Sequence, residues 1–303
     1  MGVSLERVAI IGARGQLGAR LLEVFADCEP IALNRPALDV EDAEAIVEAV
    51  RRYRPSVVID TAAFHDVGQC EQHPARAFAV NAVAVEHLGA ACALAGATLV
   101  FISTDYVFDG QARAPYAEHD EPRPQTVYGI SKRAGELLAL RYPASYVVRT
   151  SGLFGPGGSR VKGPTFIERI IAQARRGEAL RVVDDIVFSP SYAPDVARLI
   201  RAVLERGEPG IYHLTSEGAC SWYEFARAAL RIAGYSAPIA AVSHRAFDPS
   251  LRRPLYSALA HDALRRAGIQ EPPSWLDALA VYVAAAGLGI ESERRGVPEA
   301  GAR

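Results

Sequence analysis

RVAIIGARGQLGARLLEVF, residues 7–25, decides the fold. An unbroken apolar run, Val8 to Ile11, enters a turn holding Gly12, Gly15 and Gly18, and the turn opens an amphipathic helix. A buried strand that passes through such a turn into a helix is the opening unit of a doubly wound sheet. Glycines let the chain double back sharply and let its backbone approach a pyrophosphate, whose charge is favoured by free N–H groups and the positive end of the helix dipole. The GxxGxxG spacing makes Gly12, Gly15, Gln16, Leu17 and Gly18 candidates for holding a dinucleotide. A simple tight βα turn uses glycines in the same way.

Outward from this turn, short β-branched runs alternate with longer helical stretches. Strands are expected at Arg7 to Ile11, Pro30 to Leu33, Ser56 to Asp60, Thr98 to Ser103 and Tyr146 to Arg149. Between them, Glu41 to Tyr53 and Ala75 to Gly96 carry apolar residues at helical spacing. The alternation predicts an α/β fold, a doubly wound parallel Rossmann-like sheet with a smaller α/β substrate lobe. Residues 1–151 are read as the dinucleotide-binding domain, with 180–207 returning to it, and 152–179 plus 208–290 as the substrate lobe. Within the second part, helices are expected at Thr165 to Arg176 and near Pro194 to Glu205, and a strand near Leu180 to Val183. Ser221 and Glu224 have the spacing of a capping box, opening a helix in which Trp222 and Phe225 are read as core. From Glu291 the chain turns to charge, Gly and Pro, and the tail 291–303 is expected to be disordered.

Composition narrows the function classes. In 303 residues, 50% are hydrophobic and the formal charge is -2, which leaves no electrostatic footprint for nucleic acid or a membrane surface. Cys28, Cys70, Cys92 and Cys220 stand far apart with no CxxC pair, so they read as reduced thiols, and no metal site is expected. No run of eighteen apolar residues occurs, and a cytoplasmic protein is expected.

The second strand ends in Leu33, Asn34 and Arg35 without the acidic residue that would hold an NAD ribose. Arg35 suits the 2′-phosphate of NADP, so NADP(H) is favoured over NAD(H); a solvated surface arginine is the plainer alternative. Asp39 and Val40 are placed to meet the adenine, with Asp39 equally suited to cap the next helix. Thr61, Ala62 and Ala63 follow the third strand at its carboxyl end, where small side chains let a nicotinamide nucleotide lie flat. The fourth strand delivers Ser103, Thr104 and Asp105 to the same edge, and a hydroxyl there can hydrogen-bond a substrate oxygen.

The most telling local pattern is Tyr128-Gly-Ile-Ser-Lys132 at the start of a helix. Residues four apart share a helix face, so phenol and ammonium can point into one site. A fixed cation beside the phenol is expected to pull its pKa down from about 10 and make Tyr128 a proton donor to a carbonyl oxygen. The YxxxK spacing alone is commonplace, and a half-buried tyrosine with a surface lysine would explain it; after a glycine-rich first turn and a strand ending in Ser-Thr, it is far less so.

With these motifs in place, the chain resembles the dTDP-4-dehydrorhamnose reductase family of extended short-chain dehydrogenases/reductases. GARGQLG, STDYVFDG, PYAEHDEPRPQTVYGISKRAGE, RTSGLFGPGG, VVDD, SPSYAPDVA and GIYHLTSEG occur in that family's order, over roughly Arg7 to Ala286. The resemblance implies Thr104, Tyr128 and Lys132 as the catalytic set, Lys132 also on the nicotinamide ribose. It implies NAD(P)H-dependent reduction of the C4 keto group of a dTDP-linked 6-deoxyhexulose, and makes a homodimer one expected assembly. Three departures fall around the expected sugar pocket: Gly152 where the family usually has an aromatic after RTS, the longer loop SRVKGPTF, and Ile186 and Phe188 in place of the usual Gln and Gly. Some relatives bind a divalent ion through an acid two residues past the last glycine, where this chain has Arg20.

Weaker candidates for the substrate are His65, Asp66, Val67, Asp105, Gly152 and Tyr192, with Arg253 and Ser257 resembling a family stretch in the second lobe. His213, in an apolar strand, reads as core. A 4,6-dehydratase is disfavoured because such relatives carry Thr-Asp-Glu, whereas Tyr106 follows Asp105 here. A nucleotide-sugar epimerase of the same fold, and a non-catalytic NADP-binding regulator like the β subunit of methionine adenosyltransferase, stay open as alternatives.

Overall fold

A computed structural model describes residues 3–157, 163–247 and 249–290. The predicted tail 291–303 and part of the long loop, 158–162, lie outside these described residues. Six strands form one parallel sheet: β1 (Val8–Ile11), β2 (Ile31–Leu33), β3 (Val57–Asp60), β4 (Thr98–Thr104), β5 (Ser145–Thr150) and β6 (Gly210–His213), in the order β6-β5-β4-β3-β1-β2. The order turns back on itself between β1 and β3, and in open α/β sheets that switch point opens the crevice where ligands bind. Every residue of β1 is buried, as expected for a strand covered on both faces.

Helices α1 (Gln16–Val24), α2 (Ala43–Tyr53), α3 (Ala84–Ala95), α4 (Val127–Ala139), α5 (Phe166–Arg175), α6 (Ala193–Arg206), α7 (Trp222–Ala233) and α8 (Trp275–Ala285) complete the main architecture. Leu17 and Leu21 of α1 and Val196 and Ile200 of α6 bury one face of the sheet; Ile46 and Val50 of α2 and Val85 and Leu88 of α3 bury the other. The continuous helical stretch Pro74–Ala95 is apolar enough and long enough to cross a membrane, yet half of its most apolar window is buried within the fold.

Two expectations about lobe membership change. Of the stretch 180–207, α6 lies against α1, but Leu180–Val183 pairs with Ile239–Val242, away from the main sheet. Residues 208–290 are expected in the substrate lobe, whereas Gly210–His213 supplies the sixth strand of the main sheet beside β5. A four-residue strand carries no mark of its partner, because pairing is settled by packing distant in sequence. Of the other small strands, Leu153–Phe154 pairs with Ser191–Tyr192, and Val187–Phe188, Cys220–Ser221 and Tyr256–Ser257 form a separate three-stranded patch over a core of Phe154, Ile167, Phe225, Leu279 and Tyr282.

Candidate active site

At the switch point the backbone is built for close approach. Gly12 has φ +75°, and a Cβ there would stand 2.6 Å from Thr61 Oγ1. One on Gly18 would stand 2.4 Å from the Gly12 carbonyl oxygen, so strand and helix meet too closely for any side chain. Gly15 is the N-cap of α1 and offers no side chain to the first-turn N–H groups; no acidic residue sits in that turn. This end of α1 is therefore free to receive an anion, with the positive end of its dipole facing the crevice.

A cleft of about 450 Å³ runs from this turn past the ends of β3, β4 and β5, within the range of small-molecule sites. It brings Gly15, Gln16, Leu17, Thr61 and Ala63 together with His65, Val67, Thr104, Asp105, Tyr128, Lys132 and Gly152, all singled out from the sequence. Gln16 also donates to the Gly155 carbonyl at 3.0 Å, tying α1 to the loop after β5.

Other candidates fall outside the cleft lining. Tyr192 is buried in the second-lobe core, its ring 5.3 Å from Phe154, so its apolar surroundings and not a ligand occupy it. Asn34 accepts from the Arg14 N–H at 2.9 Å and so braces the glycine-rich turn. Arg35, 66% exposed, stands 3.8 Å from Asp39, with Val40 packed at the edge of the core. Asp39 accepts from the Glu41 N–H, but the cap of α2 is Asp42, which receives the Glu44 and Ala45 N–H groups. Ala62 donates its N–H to Asp60 and packs on the core.

The reacting end is held by α4. Thr126 caps the helix by accepting from the Gly129 N–H, which sets Tyr128 and Lys132 one turn apart on the face toward β4. Lys132 is 1% exposed; its ammonium donates to the Ile102 carbonyl at 2.6 Å and lies 3.9 Å from the Phe101 ring centre. Burial pulls the Lys132 pKa down to about 8, opposed by the negative charges of Asp60 and Glu136. Burial likewise pushes Asp60 up to about 6, opposed by the Lys132 charge. For Tyr128, burial is again the largest influence and pushes the phenol well above its ordinary value, with the Thr104 hydroxyl acting the other way. The lowering expected from Lys132 is not found: the ammonium is engaged with Ile102, and desolvation of the phenolate outweighs it.

Thr104 donates to Asp105 at 3.0 Å and accepts the Tyr106 N–H at 3.2 Å. Asp105 also accepts from Ser151 at 2.8 Å and Ser257 at 2.6 Å, so one buried carboxyl gathers hydroxyls from β4, the end of β5 and the second lobe. Its lining position is real, but its oxygens are already committed within the protein.

Several contributors have no pattern in the sequence. Buried Asn81 donates to the Phe64 carbonyl at 2.9 Å and to Ser131 at 3.0 Å, joining the loop after β3 to α4 between Tyr128 and Lys132. One turn beyond Lys132, Glu136 pairs with Arg149 at 2.8 and 2.9 Å and accepts from Ser103 at 2.6 Å, all fully or nearly buried. His213 is core, its ring nitrogens 3.3 Å from Arg149 and 3.0 Å from the Ala260 carbonyl. Arg253 donates to Tyr106 at 3.1 Å and lines the cleft with Arg169 and Trp222; Trp222 packs on the second-lobe core, as its spacing suggests, and also faces the cleft. Arg20 pairs with Glu23 at 2.8 Å, and among the described residues no group of three or more His, Cys, Asp or Glu could hold a metal ion.

A switch-point crevice that accepts a dinucleotide, with a tyrosine and a lysine one turn apart beside a threonine, belongs to the short-chain dehydrogenase/reductase class of oxidoreductases. Comparisons narrow this class. Residues 6–287 match the RmlD substrate binding domain model, and the chain belongs to this family, that of the dTDP-4-dehydrorhamnose reductases. The spore coat polysaccharide biosynthesis protein SpsK of Bacillus subtilis is 37% identical over 282 residues, 92% of this chain and 97% of that one. A dTDP-4-dehydrorhamnose reductase of Streptomyces griseus is 36% identical, covering 90% of this chain and 91% of its own. Among solved structures, the dTDP-4-dehydrorhamnose reductase of Bacillus anthracis in complex with NADP superposes with a TM-score of 0.87 at 34% identity, covering 92% of this chain and 99% of that one.

Proposed function

We propose that this chain reduces the C4 keto group of a dTDP-linked 6-deoxyhexulose, with dTDP-4-dehydrorhamnose giving dTDP-rhamnose as the first choice, and uses NADPH in preference to NADH. The observation that carries this reading is the convergence of Thr104, Tyr128 and Lys132 in one cleft with the uncapped turn at Gly15. The close approach at Gly12 and Gly18 fits a pyrophosphate, and the exposed Arg14 and Arg35 flank the end of β2 where a 2′-phosphate would lie. When bound, the nicotinamide supplies the hydride.

The chain's own groups do the rest. Lys132, anchored on Ile102, orients the nicotinamide ribose. Tyr128 gives its proton to the C4 oxygen as that oxygen gains charge; its raised pKa keeps the phenol protonated, the state a donor needs. Thr104 gives its one proton to Asp105 and accepts the Tyr106 N–H; turning that proton to the same oxygen lets it hold the oxygen in line. Tyr106 stands where a dehydratase would need an acid, and its hydroxyl is taken by Arg253.

Purified protein with NADPH, and separately NADH, is mixed with dTDP-4-dehydrorhamnose while absorbance and products are followed. Stoichiometric oxidation with dTDP-rhamnose formed, faster with NADPH, is the expected result. An isomer of the substrate formed without net oxidation of NAD(P)H would make the chain an epimerase, and cofactor binding without turnover on any dTDP-4-keto sugar would make it a regulator.

A further inference from the structure

Two of the three departures from the family meet in space. Gly152 lines the cleft with φ +48°, and a Cβ built there would lie 2.2 Å from Cε2 of Phe188. Phe188, 2% exposed, thus fills the volume beside residue 152 that a side chain would take. Its ring is stacked on the Trp222 indole at 4.1 Å between centres and 19° between planes. Trp222 in turn stands edge-on to Phe166 at 4.8 Å, and both of these rings line the cleft.

The indole is fixed as well as placed. It is the first residue of α7, directly after Ser221, whose side chain caps the helix and donates to Asp184 at 2.6 Å. Phe188 is held by pairing with Cys220 on one side and Ser257 on the other. Ser257 is the residue that donates to Asp105, next to Thr104, and Gly152 lies two residues past Thr150, the register partner of Thr104. Two residues span at most roughly 7 Å, which keeps Gly152 within about one sugar ring of the reacting end.

From this arrangement we infer that the Trp222 indole, backed by Phe188 in the space that Gly152 leaves open, is the wall against which the sugar ring packs, and that it sets which hexulose is accepted. The inference rests on the nucleotide-sugar reading above. A pyranose has a flat face of C–H bonds, and a rigid aromatic plane is the surface that matches it; holding that face fixes which side of C4 is turned toward the hydride. The wall comes from Val187–Phe188 and α7, and residue 152 contributes only room.

The test separates sugar from nucleotide. Trp222→Ala and Trp222→Leu are expected to raise KM for dTDP-4-dehydrorhamnose roughly two- to tenfold, the worth of one aromatic contact. In both, NADPH affinity and competitive inhibition by dTDP alone should stay unchanged. Trp222→Phe, which keeps a flat ring, should recover most of the loss, and Phe188→Ala should reproduce it by removing the backing. An unchanged KM in Trp222→Leu overturns the wall, and so does an equal loss of dTDP affinity, which would put the indole against the base. Wild-type protein inactive on every dTDP-4-keto sugar refutes the functional reading itself, whereas active wild-type protein indifferent to Trp222 refutes the wall alone.

Discussion

The two ends of the cleft are built differently. At the reacting end, Tyr128 and Lys132 share one helix, Thr104 sits on the adjoining strand, Lys132 is pinned to Ile102 of that strand, and Thr104 is pinned to Asp105 beside it. At the far end, Gly152, Arg169, Trp222 and Arg253 come from four separated segments, and Arg169 is exposed. The first arrangement tolerates little change because each group acts through its distance from one reacting atom. The second can exchange one residue for another across space, as Phe188 does beside Gly152, provided that the volume is conserved. Reaction and specificity are thereby assigned to opposite ends.

Perturbations can break or sharpen this division. The largest effect belongs to Tyr128→Phe, expected to lower kcat by about a hundred- to ten-thousand-fold with NADPH still bound, checked by steady-state kinetics and cofactor titration. Comparable activity in that variant would dissolve the contrast. Next, Glu136→Gln should destabilise the fold by about 3–5 kcal/mol, because it leaves the fully buried Arg149 without its partner. Denaturant unfolding measures it, and a small value would mean that the reacting end is less rigidly braced than its contacts imply.

A subtler expectation concerns pH. With Lys132 titrating at about 8, kcat/KM should fall as the pH rises through that value and Lys132 loses its proton. Asp60 is among the charges that raise Lys132, so Asp60→Asn should move this alkaline limb downward in a pH–rate profile. Smallest is Arg35→Ala, expected to reduce the preference for NADPH over NADH only a few-fold, since an exposed cation is well screened; paired Kd measurements decide it.

The reacting end was legible because its chemistry is local. The spacing of Gly12, Gly15 and Gly18, and of Tyr128 and Lys132, is fixed by turn and helix geometry and can be read without knowing the tertiary fold. The cleft-facing side of Trp222 was not, because spacing of three puts it with Phe225 on the core, where it does pack, and nothing local shows that as the first residue of α7 it also reaches the cleft. Asn81 left only one trace, a lone polar side chain in the apolar run Ala77 to Val85, and Arg14 lay in full view as the residue before Gly15. The lowered phenol pKa failed for a different reason. Sequence gives the neighbour of a group but not its desolvation, and for Tyr128 desolvation is larger.

The carboxyl of Asp105 has a mechanical consequence. It joins Thr104 on β4 to Ser257 in the second lobe, one residue from the reacting threonine. Any swing of one lobe on the other that preserves these two bonds turns about that point as about a pivot. Displacement in such a motion would grow with distance from the axis, so Thr104, bonded to the pivot itself, would be the residue it displaces least.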